Sequence, residues 1–209
     1  MNSELIKSLL HLDTTLYSII QTYHDWTHAL LFLIVFCETG LVFTPFLPGD
    51  SLLFVAGSFA AKGLLNHWLL YVLLLIASIT GNMINYTIGR QFSSYAAKTG
   101  KIPFVKKEYI ERTQHYYEKH GFLTLILTRF IPILRTMAPF LAGVSKMSRP
   151  HFFFYTVSGA FLWISIFYWG GYLFGNIPIV KDHFNWVVIG IVLVSFLPPI
   201  HLYIRSKRK

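Results

Sequence analysis

Four ionisable residues, Glu38, Asp50, Arg129 and Arg135, stand inside two windows that are otherwise largely apolar, Ala29 to Ala61 and Gly121 to Ser145. A charge at the centre of a bilayer costs roughly 2.5 to 3.5 kcal/mol on insertion scales, so such residues face an interior cavity, take partners and mark an ion or substrate path. The two signs offer different chemistry. Arginines present planar, permanently charged forks that match a phosphate, whereas carboxylates in a poorly hydrated site hold protons more readily and can carry them. Together the four describe a proton-linked site for an anionic head group, with Arg129 and Arg135 binding phosphate and Glu38 and Asp50 coupling protons. The competing reading, salt bridges that close two hairpins, does not explain why charges are used where apolar residues would pack with less desolvation.

The elements that must position these residues follow from composition. The chain has 209 residues, 54% hydrophobic and 13% charged, about half the roughly 25% charge of soluble domains. Disorder needs the opposite balance, and a soluble domain could not hide so much apolar surface. A polytopic membrane protein is implied. The single cysteine, Cys37, excludes an internal disulfide and a cysteine-based metal cluster.

Roughly 20 apolar residues cross a bilayer as a helix. Spans are expected at 68–89, 151–176 and 183–204, the last interrupted near its end by Pro198 and Pro199. The two charged windows also carry breakers: Pro45, Pro48 and Gly49 in one, Pro132 and Pro139 in the other. Each half reaches only partway across, so both read as re-entrant hairpins whose tips face protein or water.

Thirteen of the eighteen Lys and Arg residues fall in 90–119, in the turn with Lys146 and Arg149, and in the tail from Arg205. These segments are cytoplasmic by the positive-inside rule. The +9 formal charge is thus an orientation signal, with no nucleic-acid footprint. Hairpin, span, hairpin, span, with hairpins opening to opposite faces, is the order of an inverted repeat. Pro45 to Gly57 and Ile131 to Gly143 carry a weak echo of it, each with a Pro-rich start and a closing Ala-Gly.

The expected fold is all-α: a polytopic membrane protein with two oppositely facing re-entrant helical hairpins in an inverted repeat, about three transmembrane helices and amphipathic interfacial helices. The plan is an N-terminal amphipathic segment (1–28), a membrane domain (29–205) and a basic cytoplasmic tail (205–209). The membrane domain divides into hairpin 29–61, span 68–89, cytoplasmic amphipathic segment 90–120, hairpin 121–145, and spans 151–176 and 183–204.

Glu38 with Pro48-Gly49-Asp50-Ser51, the stretch Gly81 to Arg90, and above all Arg129-Phe-Ile-Pro-Ile-Leu-Arg135-Thr-Met-Ala-Pro-Phe-Leu-Ala-Gly143 resemble the DedA family of bacterial inner-membrane proteins, also called the SNARE-associated or VTT-domain family. The resemblance covers about residues 29 to 205. It implies a pair of re-entrant hairpins and a role in moving lipids between leaflets. Bacterial relatives are associated with returning undecaprenyl phosphate to the cytoplasmic leaflet and with the proton-motive force, eukaryotic ones with phospholipid scrambling. Glu38, Asp50, Arg129 and Arg135 fall on the positions the family's motifs mark as functional. Many relatives have an acidic residue after the glycine where this chain has Gly81-Asn82, so a proton step here rests on Glu38 and Asp50. Asn82 and Asn85 either line the cavity or belong to a helix-packing face with Gly81 and Gly89.

The expected function is a translocase that carries a lipid phosphate, undecaprenyl phosphate by resemblance, to the cytoplasmic leaflet of the bacterial inner membrane. Its partners are that lipid, protons and membrane lipids, with no nucleic acid, metal or cofactor. The alternatives are a small-ion or drug/proton antiporter and a passive phospholipid scramblase. An enzyme is disfavoured, because the charged windows hold neither an activated nucleophile nor a catalytic histidine. His24-Asp-Trp-Thr-His28 has the spacing of a two-histidine zinc helix, but no third ligand accompanies it and histidines flanking an interfacial Trp are ordinary at a membrane surface.

Overall fold

Asn66 starts the longest helix among the described residues. In the computed structural model its carbonyl accepts from the Leu70 amide at 2.9 Å and its side-chain Oδ1 accepts from Leu69 at 3.1 Å, an N-cap that satisfies amides the helix itself cannot. The structure describes residues 26–41, 49–99, 128–130, 132–178, 180, 187 and 190. Most of the expected N-terminal amphipathic segment, the tip of the first hairpin, the cytoplasmic stretch 100–120, the first half of the second hairpin and nearly all of the last span lie outside them.

Among the described residues the elements are five α-helices, with no strand: α1 (Trp26–Gly40), α2 (Gly49–Ala61), α3 (His67–Thr99), α4 (Pro132–Val144) and α5 (Arg149–Phe174), with a 3₁₀ turn at Thr128–Phe130 before α4. Two of them, α3 and α5, are long and apolar enough to cross a membrane. Helix α3 continues through Arg90 to Thr99, since nothing after Gly89 breaks it.

The long helices turn apolar side chains outward. Trp68, Val72, Ile76, Ile84 and Ile88, spaced at multiples of four on α3, are exposed, as are Phe153, Phe154, Phe161, Ile166 and Leu173 on α5. A soluble helix shows water the opposite face, and a stripe of this kind suits lipid. In contrast, every residue of α2 from Gly49 to Ala60 is buried, as expected of a helix that is apolar all round.

The chain folds into two compact units. The first contains residues 1–34, 47–75 and 162–209, the second 35–46 and 76–161. In the first, α2 packs on the C-terminal half of α5 through glycines. A Cβ on Gly57 would collide with the Tyr168 carbonyl, and one on Gly171 with the Phe54 carbonyl. At the start of α3, His67, Trp68 and Tyr71 meet Trp169 and Tyr172 of α5 with ring centroids 5.6–6.4 Å apart. Clusters of this type form the aromatic belt at a membrane interface.

In the second unit α4 packs on the C-terminal half of α3 by the same device. A Cβ on Gly143 would strike the Tyr86 carbonyl, and one on Gly89 the Phe140 carbonyl. Phe54 and Gly57 of α2 therefore correspond to Phe140 and Gly143 of α4, the register in which the two sequence segments echo each other. Both short helices end alike. Leu64 N bonds Phe59 O and Gly63 N bonds Ala60 O after α2; Met147 N bonds Ala142 O and Lys146 N bonds Gly143 O after α4. These are Schellman caps, with Gly63 (φ 73°) and Lys146 (φ 56°) in the left-handed position.

Candidate functional site

The second unit assembles three of the four charged residues on separate elements. Glu38 lies in the last turn of α1, Arg129 on the 3₁₀ turn and Arg135 in the first turn of α4. Glu38 is 0%, Arg135 3% and Arg129 5% exposed, so none is solvated by bulk water. An Arg135 Nη2 donor meets Glu38 Oε1 in a direct ion pair. The pairing explains how either charge persists in an apolar setting, since removing one partner would strand the other.

Arg129 is held differently. Its Nη1 donates to Ser78 Oγ at 3.1 Å and its Nη2 to the Thr156 carbonyl at 3.0 Å, and among the described residues it has no carboxylate partner. Its stem rests against Gly159 of α5, where a Cβ would come within 2.6 Å of Nε. Neutral oxygens thus orient the fork without cancelling its charge. Arg129 and Arg135 line one cavity with Asn82, Thr128, Pro139 and Thr156. Its volume is about 10 Å³, enough for a single water.

Asn82 lines this cavity and donates to the Ser78 carbonyl at 2.7 Å. Asn85 does not line it. Its Nδ2 instead bridges the carbonyls of Thr39 (3.3 Å) and Thr136 (2.8 Å), tying the residues next to Glu38 and Arg135 to α3 and fixing the geometry of the ion pair. Gly81 packs against Thr39 and Phe36 of α1, which brings α1 close enough for that bridge.

Asp50 belongs to the first unit. It occupies the first turn of α2, where the helix dipole favours an anion, and its Oδ1 accepts from Trp163 Nε1 at 2.9 Å. Asp50 is 6% exposed and Trp163 fully buried.

Sequence reasoning missed Ser78, Thr156, Gly159 and Trp163. Each is ordinary in an apolar helix, and nothing in its local sequence marks it as the neighbour of a charge 27 to 113 residues away. The groups that could have been suspected are the small or polar residues at buried positions of the two spans.

Apolar stripes facing outward, two helices of spanning length and buried charges held by interior polar groups define an α-helical membrane protein with a cation-rich internal site. Residues 47–173 match the VTT domain family. The chain is 49% identical to protein DedA of Escherichia coli strain K12 over 206 residues, 98% of this chain and 94% of that one. It is 39% identical over 165 residues to an uncharacterized membrane protein of Mycobacterium leprae (79% and 74% covered). It is also 34% identical over 149 residues to inner membrane protein YqjA of Escherichia coli (71% and 68% covered). No solved structure matches it. The chain belongs to the DedA family, defined by the VTT domain.

Proposed function

We propose that this protein carries a lipid phosphate, undecaprenyl phosphate in the first instance, from the outer to the cytoplasmic leaflet of the bacterial inner membrane, using the proton-motive force. The observation that carries this reading is Arg129: a buried guanidinium oriented by neutral oxygens, sharing a cavity with Arg135. Helices α1, α2 and α4, with 15, 13 and 13 residues, reach about 20 Å, short of the roughly 30 Å hydrocarbon core. Their length supports the re-entrant arrangement, with the site near mid-membrane and the C-terminus in the cytoplasm.

Charge balance suggests the coupling. Two arginines against Glu38 leave one net positive charge in the cluster. Protonation of Glu38 releases Arg135 and raises the net charge to two, which matches a phosphate monoester carrying about −1.5 to −2. A proton and a head group therefore load the site together. The cavity holds only a water-sized group, so loading requires α4 and its neighbours to separate. Asp50 supplies a second carboxylate, in the first unit, for the return of the site.

The test is reconstitution into liposomes, comparing leaflet exchange of undecaprenyl phosphate with that of a glycerophospholipid, with and without a pH gradient. Gradient-dependent exchange of the prenyl phosphate is expected, reduced about tenfold or more by Arg129→Lys, which keeps the charge and loses the fork. Equal exchange of both lipids without a gradient indicates a scramblase. Cation transport in the absence of lipid phosphate indicates an antiporter.

A further inference from the structure

The second unit holds another cationic cavity, separate from the cluster around Arg129. It measures about 410 Å³ and is lined by Thr87, Arg90, Gln91, Ser94 and Tyr95 of α3 and by Arg149 at the start of α5. Residues 87, 90, 91, 94 and 95 fall on one helical face, and Arg149 adds a second fork beside the positive end of the α5 dipole.

Two guanidiniums share this cavity, and among the described residues neither meets a carboxylate. Arg90 makes one hydrogen bond there, from Nη1 to Tyr86 Oη at 2.9 Å. Tyr86 in turn donates to the Met147 carbonyl and stacks on Phe152 with centroids 4.3 Å apart. This chain anchors Arg90 to the loop between α4 and α5, leaving donors of its fork available to the cavity. Like charges held together repel, and an anion with several acceptor oxygens relieves that. Gln91 adds a neutral donor, the Thr87 and Ser94 hydroxyls being already donated to the Met83 and Arg90 carbonyls, and the same two helices expose apolar Ile84, Ile88, Phe153 and Phe154, an acyl-compatible surface.

We propose that Arg90 and Arg149 form a second phosphate site, at the cytoplasmic mouth of the second unit, that holds a phosphate-bearing head group. Its sidedness rests on the membrane orientation adopted above; its anion chemistry does not. The volume accommodates a phosphate with part of a glycerol, which the closed central cavity cannot. Basic pockets between transmembrane helices on the cytoplasmic side bind anionic head groups in this way.

The test uses the full chain in phosphatidylcholine nanodiscs, titrated with phosphatidate, diacylglycerol or inorganic phosphate, and reads bound lipid by native mass spectrometry. Phosphatidate retention above diacylglycerol is expected, with R90Q and R149Q each weakening it about tenfold, the loss of a charge-assisted pair, and high salt weakening it further. Arg149 is exposed, so R149Q reads the site even if R90Q disturbs the Tyr86 chain and folds poorly. Displacement of phosphatidate by millimolar inorganic phosphate assigns the site to a soluble anion; resistance assigns it to the lipid head group. Equal retention by the R90Q/R149Q double variant and the unaltered protein, or equal retention of diacylglycerol, overturns the proposal. Loss of phosphatidate with R129Q but not with R149Q overturns it too, while leaving the central site intact. Conversely, failure of R129K to slow lipid exchange defeats the transport reading and leaves this site standing.

Discussion

The two units of the molecule pack by one scheme and carry different chemistry. In each, a 13-residue helix lies against a spanning helix with reciprocal glycines, Gly57 and Gly171 in one, Gly143 and Gly89 in the other. Each short helix ends in a Schellman cap and hands on to a span that begins at a polar cap, Asn66 or Ser148. The charges do not follow this pairing. Among the described buried residues, the first unit has the carboxylate of Asp50, which accepts from an indole; the second has Arg129, Arg135 and the carboxylate of Glu38. Where backbones must approach in lipid, small residues are the general solution, and both units use it. Buried charge is not needed for that packing, and among the described residues the units differ in it.

The largest effects should come from breaking the buried ion pair of the second unit. Arg135→Met strands Glu38 at 0% exposure and should cost about 3 to 5 kcal/mol, read as a loss of thermal stability in detergent. Adding Glu38→Gln should recover most of it, because the stranded charge is gone. If the single and double variants melt together, Glu38 is not relying on Arg135, and the electrostatic contrast between the units fails.

Glycine substitutions test the shared half of the comparison. Gly57→Val and Gly143→Val each drive a side chain into a backbone carbonyl, and overpacking of this kind costs about 1 to 3 kcal/mol. Similar losses in both variants are expected from thermal melts. A loss confined to one would show that the two contacts, though alike in register, do not bear the same weight.

Why the packing was partly legible in the sequence and the site only half so follows from these residues. Glycines repeated at helical spacing and the echo between 45–57 and 131–143 announce close helix contacts, because small residues let backbones approach. Arg129, Arg135, Glu38 and Asp50 were visible because charge is expensive in an apolar window. Which of them meet was not visible. The Glu38–Arg135 pairing spans 97 residues of sequence, and the assignment of Asp50 to the first unit follows from helix connectivity, which local pattern does not encode. Asn85 was read as a cavity or packing residue, while its bridge between two carbonyls depends on the ends of α1 and α4 converging.

Asp50→Asn addresses the first unit. The amide oxygen still accepts from Trp163, so the cost is the difference between a charged and a neutral acceptor, about 1 kcal/mol. Trp163→Phe, which removes one donor from a buried carboxylate, should cost more than Asp50→Asn. In liposomes Asp50→Asn should flatten the response of lipid exchange to a pH gradient. An unchanged response would remove Asp50 from proton coupling and leave Glu38, in the second unit, as the carrier.

The smallest effect concerns the two Schellman caps. Gly63 takes the left-handed conformation without strain, whereas Lys146 takes it with a side chain, at a cost of roughly 1 to 2 kcal/mol for an L-residue. Lys146→Gly removes that strain but adds the unfolded-chain entropy of glycine, roughly 0.5 to 1 kcal/mol. The net should be a stabilisation of about 0.5 kcal/mol, visible as a small rise in melting midpoint. Gly63→Ala should shift the midpoint the other way, since nothing crowds that position and only the backbone objects. If Lys146→Gly lowers stability instead, the lysine is retained for its charge in the basic turn with Arg149, the same electrostatic demand that separates the second unit from the first.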